Sequence, residues 1–149
     1  MKNDTLFKEV ATAMGRIDIC MMQTVGEHGV STRPMSNNGE VQYDGDNWFF
    51  SRADSNKNRE IALDDRVQLL FSNMEDMDFI SVWGRGEVVD DVEMKKKLWQ
   101  DELSRWFKAG PEDPEVTLIK VSAERIQTWG RIGDCAIDVQ TGTLRSTED

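Results

Sequence analysis

The segment Arg16–Ser36, RIDICMMQTVGEHGVSTRPMS, is the basis of the fold prediction because it contains two strands and the turn between them. In its first half, apolar residues recur at every second position, which is the period of a β-strand with one buried face. Gly26–Gly29 is a turn, and the chain returns as a second strand from Val30 to Ser36. Pro34 has no N–H to give to a neighbouring strand, so this second strand lies at a sheet edge or ends there. An antiparallel hairpin is therefore predicted.

The rest of the chain alternates short apolar runs with turn signals such as Asn37–Gly39 and Asp44–Asp46. Further strands are predicted at Trp48–Ser51, Val67–Phe71, Phe79–Val89, Val116–Val121 and Arg125–Trp129. Helical spacing of apolar residues predicts helices at residues 4–14, Asn56–Asp64 and Asp91–Phe107. Strands joined by tight turns do not suit a doubly wound parallel sheet. The sequence therefore predicts a mainly β fold with peripheral helices, whose antiparallel sheet closes into a small barrel.

Composition limits the classes of function that need to be considered. At 149 residues the chain suits one domain, which we expect at residues 1–130 with a polar tail at residues 131–149. The net charge of −10 argues against nucleic acid and against an anionic membrane surface as partners. No apolar run approaches the roughly 20 residues of a membrane span, and residues 1–9 lack the apolar core of a signal peptide. Cys20 and Cys135 are far apart, so we expect a cytoplasmic protein without a disulfide framework.

Two short segments about twenty residues apart carry the residue types that bind a phosphate monoester. Thr32–Met35 contains Arg33, which is always charged and can fork two phosphate oxygens. Asp54–Lys57 supplies a hydroxyl and a second cation where a predicted helix begins, and helix N-termini favour anions. In so acidic a protein, clustered cations are not what bulk charge would produce. The pair of segments therefore predicts a bound phosphorylated cofactor.

Landmarks in a fixed order along most of the chain point to a known family. They are Thr32–Met35, Asn47–Ser51, Ser55–Lys57, Val82–Gly86, Leu98–Trp99, Trp106–Phe107, Gly110–Pro114, Leu118–Val121 and Trp129. In this order they resemble the pyridoxamine 5′-phosphate oxidase-like FMN-binding split barrels. The acidic, proline-bounded loop after Trp106–Phe107 resembles, within that family, the general stress protein 26 group.

The resemblance implies a six-stranded antiparallel split β-barrel that forms a homodimer, with two FMN sites at the subunit interface. It implies that the flavin phosphate is bound by three residues, namely Arg33, Ser55 and Lys57. It further implies that the ribityl chain and one side of the ring are lined by Pro34, Met35, Phe50 and Ser51. Trp129 is a candidate to approach the flavin, from the partner subunit. The implied activity is a flavin-dependent redox reaction with a small-molecule electron donor or acceptor.

The chain departs from pyridoxamine-phosphate oxidases proper, which carry an Arg-x-His element near the C-terminus that meets the substrate. Its single histidine is His28, in an early turn, and no histidine follows Trp129. The resemblance therefore extends to the cofactor site and not to vitamin B6 oxidation. No residue is identified as catalytic, and the acidic run Glu75–Asp78 lacks the pattern of a calcium loop, so no metal site is predicted.

Other interpretations stay open at this point. A flavin-binding carrier or sensor without turnover would use the same site, and FAD could replace FMN. Related split barrels use the deazaflavin F420 or heme. Heme needs an axial ligand, for which the chain offers only His28, Cys20 and Cys135.

Overall fold

The computed structural model describes residues 2–38, 41–142 and 144–146. Gly39, the last residue of one predicted turn, lies outside these ranges. The helices are α1 (Lys2–Met14), α2 (Asn56–Leu63), α3 (Val92–Leu98) and a short 3-10 helix (Asp101–Arg105). The strands are β1 (Ile19–Gly26), β2 (Gly29–Ser36), β3 (Asp46–Arg52), β4 (Arg66–Asn73), β5 (Asp78–Val89), β6 (Val116–Gly130), β7 (Cys135–Asp138) and β8 (Leu144–Ser146).

The strands form one antiparallel sheet in the order β2-β1-β4-β5-β6-β7-β8, with β3 also paired to β6. β5 follows one edge of β6 along nearly its whole length. β3 and β7 pair with successive parts of β6, at residues 116–122 and 125–128. The predicted mainly β, antiparallel fold is confirmed. The described part of the sheet has eight strands: the seven predicted from the residues correspond to six, because two of them form the single strand β6, and the tail contributes β7 and β8.

The two strands predicted at Val116–Val121 and Arg125–Trp129 are one strand in the structure. Between them the pairing of β6 with β5 shifts register, since Trp83 lies opposite Arg125 and Gly84 opposite Ala123, so Glu124 is an extra residue on the β6 side. A Cβ on Gly84 would lie 2.1 Å from the backbone oxygen of Ser122, so the two strands approach closely only because this residue is glycine. The bend therefore leaves β6 continuous.

The core joins the inner face of the sheet to α1 and α2. One cluster of buried side chains includes Val10 of α1, Phe49 of β3, Ile61 of α2 and Leu69 of β4. Burial of apolar surface of this extent is the main stabilising contribution to a domain of this size. Within the described residues, no helix is long and apolar enough to cross a membrane.

The helix predicted at Asp91–Phe107 is wrong in extent, since α3 ends at Leu98. The backbone of Trp99 is extended, with ψ at 137°. The Asn38 side chain donates a hydrogen bond of 3.1 Å to the Leu98 carbonyl and accepts one from the Gln100 amide. The Asn38 side chain, distant in sequence, therefore donates to the Leu98 carbonyl, which would otherwise accept a hydrogen bond from the next turn of a continuing helix.

Lys95 anchors α3 from within the protein. Its side chain is fully buried, and Nζ lies 3.1 Å from an Asp90 carboxylate oxygen. The same ammonium donates to the carbonyl oxygens of Asp113, at 3.3 Å, and Val116, at 2.8 Å. Because a buried ammonium must be paired, these contacts fix the loop before β6 against α3.

Candidate functional site

Arg33 lies at the rim of the core, on the inner face of β2. It is directly opposite Met22, which is fully buried, and residues opposite each other in an antiparallel pair share a face. The guanidinium donates a hydrogen bond of 2.7 Å to Thr24 Oγ1 and a longer one of 3.4 Å to the Met22 carbonyl. Thr24 is itself buried, so β1 holds the Arg33 side chain in one orientation.

Lys57, in the first turn of α2, lies close enough to Arg33 for the two charges to interact. Burial lowers the pKa of Lys57, and the neighbouring Arg33 charge lowers it further. Burial also lowers the pKa of Arg33, while the carboxylate of Glu60 opposes that shift. Two like charges in a partly desolvated site repel each other, so a bound anion would be stabilised there.

The N-terminus of α2 adds backbone donors to this cationic site. Ser55 is the N-cap residue, with φ −73° and ψ 153°, and its Oγ accepts a hydrogen bond of 3.3 Å from the Asn58 N–H. The N–H groups of Asn56 and Lys57 precede the first hydrogen bond within the helix. They therefore add the positive end of the helix dipole to the two side-chain charges.

A buried network of hydroxyl and amide groups positions the start of α2. Ser51 Oγ donates to Asn58 Oδ1 at 2.7 Å and lies 3.1 Å from Ser55 Oγ. Asn58 Nδ2 donates to Thr117 Oγ1 at 2.9 Å, and Thr117 Oγ1 donates to the Ser51 carbonyl at 3.0 Å. The network ties α2 to β3 and β6. It places the hydroxyl groups of Ser51 and Ser55 side by side.

Sequence reasoning missed Asn58 and Thr117. Asn58 is 5% exposed although it lies in a short polar helix. Its position three residues after the N-cap Ser55 is a usable signal, since a side chain there faces the cap. Thr117 carries no such signal, because its partners are 59 and 66 residues away.

Glu60 was also missed, and it brings a carboxylate into the cationic site. Its Oε1 lies 3.4 Å from Arg33 Nη2. Its Oε2 is buried and has no hydrogen-bond partner among the described residues. A Cβ added to Gly26 would lie 2.1 Å from this oxygen, so the carboxylate packs directly on the end of β1. The only local signal is its place on α2, three residues after Lys57.

Phe50 belongs to an aromatic cluster on the other face of β3. Its ring makes an edge contact with Trp99, with ring centroids 5.3 Å apart, and lies 6.3 Å from that of Phe107. Phe49 and Ser51, on either side of it, are buried in the interior. Phe50 and Ser51 therefore present their side chains to opposite faces of the strand.

The remaining predicted site residues lie in different environments. Met35 shares the inner face with Arg33 and is 8% exposed, within the core. Pro34 is exposed on the outer face of β2. Trp129 pairs with Phe79 near the end of β6, four strands from β2 in the sheet order. The structure thus brings Arg33 next to Lys57 and does not bring Trp129 to them within one chain.

The site combines two cations and a capped helix start, which suit binding of a phosphate group, with one carboxylate, which opposes it. It contains no histidine, since His28 is exposed in the turn between β1 and β2. Within the described ranges, no group of three or more metal-ligating side chains is placed to hold a metal ion.

Comparison with known proteins agrees with this description of the fold. A family model described as pyridoxamine 5′-phosphate oxidase like matches residues 6–145. Protein bli-3 of Neurospora crassa is 29% identical over an alignment 109 residues long, and the match covers 63% of this chain and 52% of that protein. The chain thus spans about half the length of that curated relative, at 52%.

Solved structures are similar over more of the chain. General stress protein 26 from Bacillus anthracis has a TM-score of 0.75 at 22% identity, over 95% of this chain and 98% of that one, which shows a shared fold. A protein of Xanthomonas citri, described as a general stress FMN/FAD binding protein, has a TM-score of 0.76 at 25% identity. That match covers 85% of this chain and 89% of the other.

Proposed function

Since the chain belongs to the pyridoxamine 5′-phosphate oxidase-like family, we propose that it binds FMN and uses the flavin in a redox reaction of a small molecule. The observation that carries the proposal is the placement of Arg33 against α2, where its Nη2 lies 3.4 Å from Glu60 Oε1 and where Lys57 is in the first turn of the same helix. The description of the Xanthomonas citri protein as FMN/FAD binding supports a flavin as the ligand.

The residues present fit the phosphate end of FMN. Arg33 would bind phosphate oxygens with its planar fork, and Lys57 would add a point charge. Ser55 would offer its hydroxyl, while the first N–H groups of α2 complete the set of donors. We favour FMN over FAD because a terminal phosphate monoester carries more charge than a phosphodiester for two cations to neutralise.

When bound, the flavin would supply electron or hydride transfer, and the protein would position it and exclude water. The buried network through Asn58 keeps Ser51 and Ser55 in fixed positions, so little ordering is needed on binding. We assign no proton-transfer residue, and vitamin B6 oxidation is not proposed.

We propose a homodimer as the functional form. The outer face of the sheet carries exposed apolar side chains, namely Ile19 at 55%, Met21 at 37% and Trp83 at 41%. Exposed apolar side chains on one face of a sheet are typical of an interface between subunits. A second copy is also what Trp129 would need to reach a flavin bound at Arg33. Light scattering should give twice the chain mass of 17.0 kDa, and a monomer mass would refute the dimer.

The first experiment is a titration of purified protein with FMN, riboflavin and FAD, followed by quenching of flavin fluorescence. Tight binding of FMN with a clear preference over riboflavin supports the phosphate site. Failure to bind FMN or FAD would refute the proposal, and F420 and heme would then be titrated in turn.

Turnover separates the proposed enzyme from a flavin carrier or sensor. Anaerobic stopped-flow mixing with NADH or NADPH would show rapid, saturable bleaching of the flavin if the protein is an oxidoreductase. The absence of bleaching with either donor would favour the carrier or sensor.

The free Cys20 and Cys135 agree with the proposed cytoplasmic location.

A further inference from the structure

Glu60 is an unexpected residue for a site that binds an anion. It extends from α2 to Arg33, with Oε1 and Nη2 3.4 Å apart, while the Arg33 charge also acts on Lys57. The side chains of Glu60 and Arg33 are both largely buried, at 18% and 22% exposed, so solvent screens their charges only partly. A phosphate bound by Arg33 would therefore feel the negative charge of Glu60.

The contact between Glu60 and Arg33 is far from optimal. Charge-assisted hydrogen bonds between guanidinium and carboxylate are typically about 2.7–2.9 Å long and often bidentate. Here a single contact of 3.4 Å joins them, while the shorter bond of Arg33, 2.7 Å, goes to Thr24. The guanidinium is thus oriented mainly by β1 and only weakly held by the carboxylate, which leaves it able to accept another anion.

Packing keeps the carboxylate in this place. Oε2 lies against Gly26 at the end of β1, where even a methyl group would meet it at 2.1 Å. This oxygen is buried without a hydrogen-bond partner among the described residues, an arrangement that costs free energy and calls for an explanation. A purely structural carboxylate would be expected to have partners for both of its oxygens.

We propose that Glu60 sets the charge selectivity of the site: it partly neutralises Arg33 in the absence of ligand and lowers the affinity for a phosphate monoester when one binds. This inference rests on the proposed flavin phosphate site. With Glu60 charged, Arg33 and Lys57 leave a net charge of one at the site, and without it the net charge is two. The protein thereby binds the phosphorylated cofactor less tightly than its two cations would allow, and binding stays reversible.

The test compares Glu60→Gln with the wild type in fluorescence titrations with FMN and with riboflavin, which lacks the phosphate. Glutamine keeps the shape of the side chain and an acceptor for Arg33 while removing the charge. We expect the Kd for FMN to fall at least about fivefold and the Kd for riboflavin to change by less than about twofold, as removal of one partly screened charge implies. Glu75→Gln is the matched control, because Glu75 is exposed in the turn between β4 and β5 and undergoes the same charge change.

A second variant tests the same inference through a different atom. Gly26→Ala would push the Glu60 carboxylate off β1, and the Kd for FMN should then fall while the Kd for riboflavin changes less. If this variant does not fold, Glu60→Gln decides alone. An unchanged or higher Kd for FMN in Glu60→Gln, with the wild type preferring FMN to riboflavin, would overturn the role of Glu60 only. A wild type that binds both ligands equally would overturn the phosphate site itself.

Discussion

Replacement of Arg33 by methionine should separate binding of the flavin phosphate from binding of the flavin ring. Methionine keeps much of the apolar stem of the side chain on the inner face of β2 and removes the charge. A hydrogen bond to a charged group contributes about 1.5–3 kcal/mol, which converts to about a 10- to 150-fold increase in the Kd for FMN. The Kd for riboflavin should change by less than about twofold, because it has no phosphate to lose.

The structure also predicts what the same substitution does to the protein without ligand. Thr24 Oγ1, which is buried, would lose the donor that now lies at 2.7 Å, and Glu60 would lose its cation. A buried group left without its partner costs about 1–3 kcal/mol, so the free energy of unfolding should fall by that amount. Urea denaturation without flavin measures this loss. The flavin titrations of the variant must be done under conditions in which it is fully folded, well below the urea midpoint.

Fluorescence quenching of FMN and riboflavin, titrated in parallel, is the assay. Lys57→Met should act in the same direction as Arg33→Met, with a smaller effect because lysine adds one point charge and no fork. Removal of Arg33 should also let the pKa of Lys57 rise toward its ordinary value, since the Arg33 charge now lowers it. Equal losses for FMN and riboflavin in Arg33→Met would refute the reasoning, because they would mean that the guanidinium does not contact the phosphate.

Three buried side chains, Lys95, Cys20 and Asn58, give further predictions. Lys95→Met should lower the free energy of unfolding by about 3 kcal/mol, because two carbonyl groups lose their donor. Lys97→Met, on the exposed side of α3, should be nearly neutral when both variants are compared by urea denaturation. Burial raises the pKa of Cys20 to about 12. At pH 8 a thiol reagent should therefore modify Cys135 first and Cys20 only after unfolding. Equal reaction rates of the two thiols in the native protein would contradict this. Because that pKa is raised above its unfolded value, Cys20 should also make the protein less stable as pH increases above the unfolded pKa, as measured by urea midpoints from pH 8 to 10. Asn58→Leu should destabilise the protein by about 2 kcal/mol and weaken FMN binding, since Ser55 and Thr117 lose their shared partner; unchanged melting and binding would show that the network is not needed.

Much of the fold was predictable because its signals are local. The two-residue period of the β1–β2 hairpin, and the glycines of its turn, are determined by residues next to one another in the chain. The start of α2 was predictable for the same reason, since Ser55 is an ordinary N-cap residue and the cap is made within three residues. The end of α3 was not, because the Asn38 side chain that binds the Leu98 carbonyl lies 60 residues away in sequence.

The residues of the site also differ in whether their roles could be predicted from local sequence. Arg33 and Lys57 carry chemistry that can be recognised from residue type, and the family resemblance pointed to both of them. Glu60 and Thr117 could not be recognised in that way, because a carboxylate or a hydroxyl acquires its role only from the groups that packing places beside it. The role of Gly26 also depends on tertiary packing, since the missing side chain leaves the space that the Glu60 carboxylate occupies.

The sequence by itself therefore determined the antiparallel β class, the starts of α2 and α3 and the cations that suit a phosphate. The tertiary structure alone decided that β6 is one continuous strand, that the tail adds β7 and β8, and that a carboxylate shares the cationic site. The physical reason is the range of the interactions involved. Backbone period and capping are settled within a few residues, whereas ion pairs, burial and strand register depend on parts of the chain that meet only after folding.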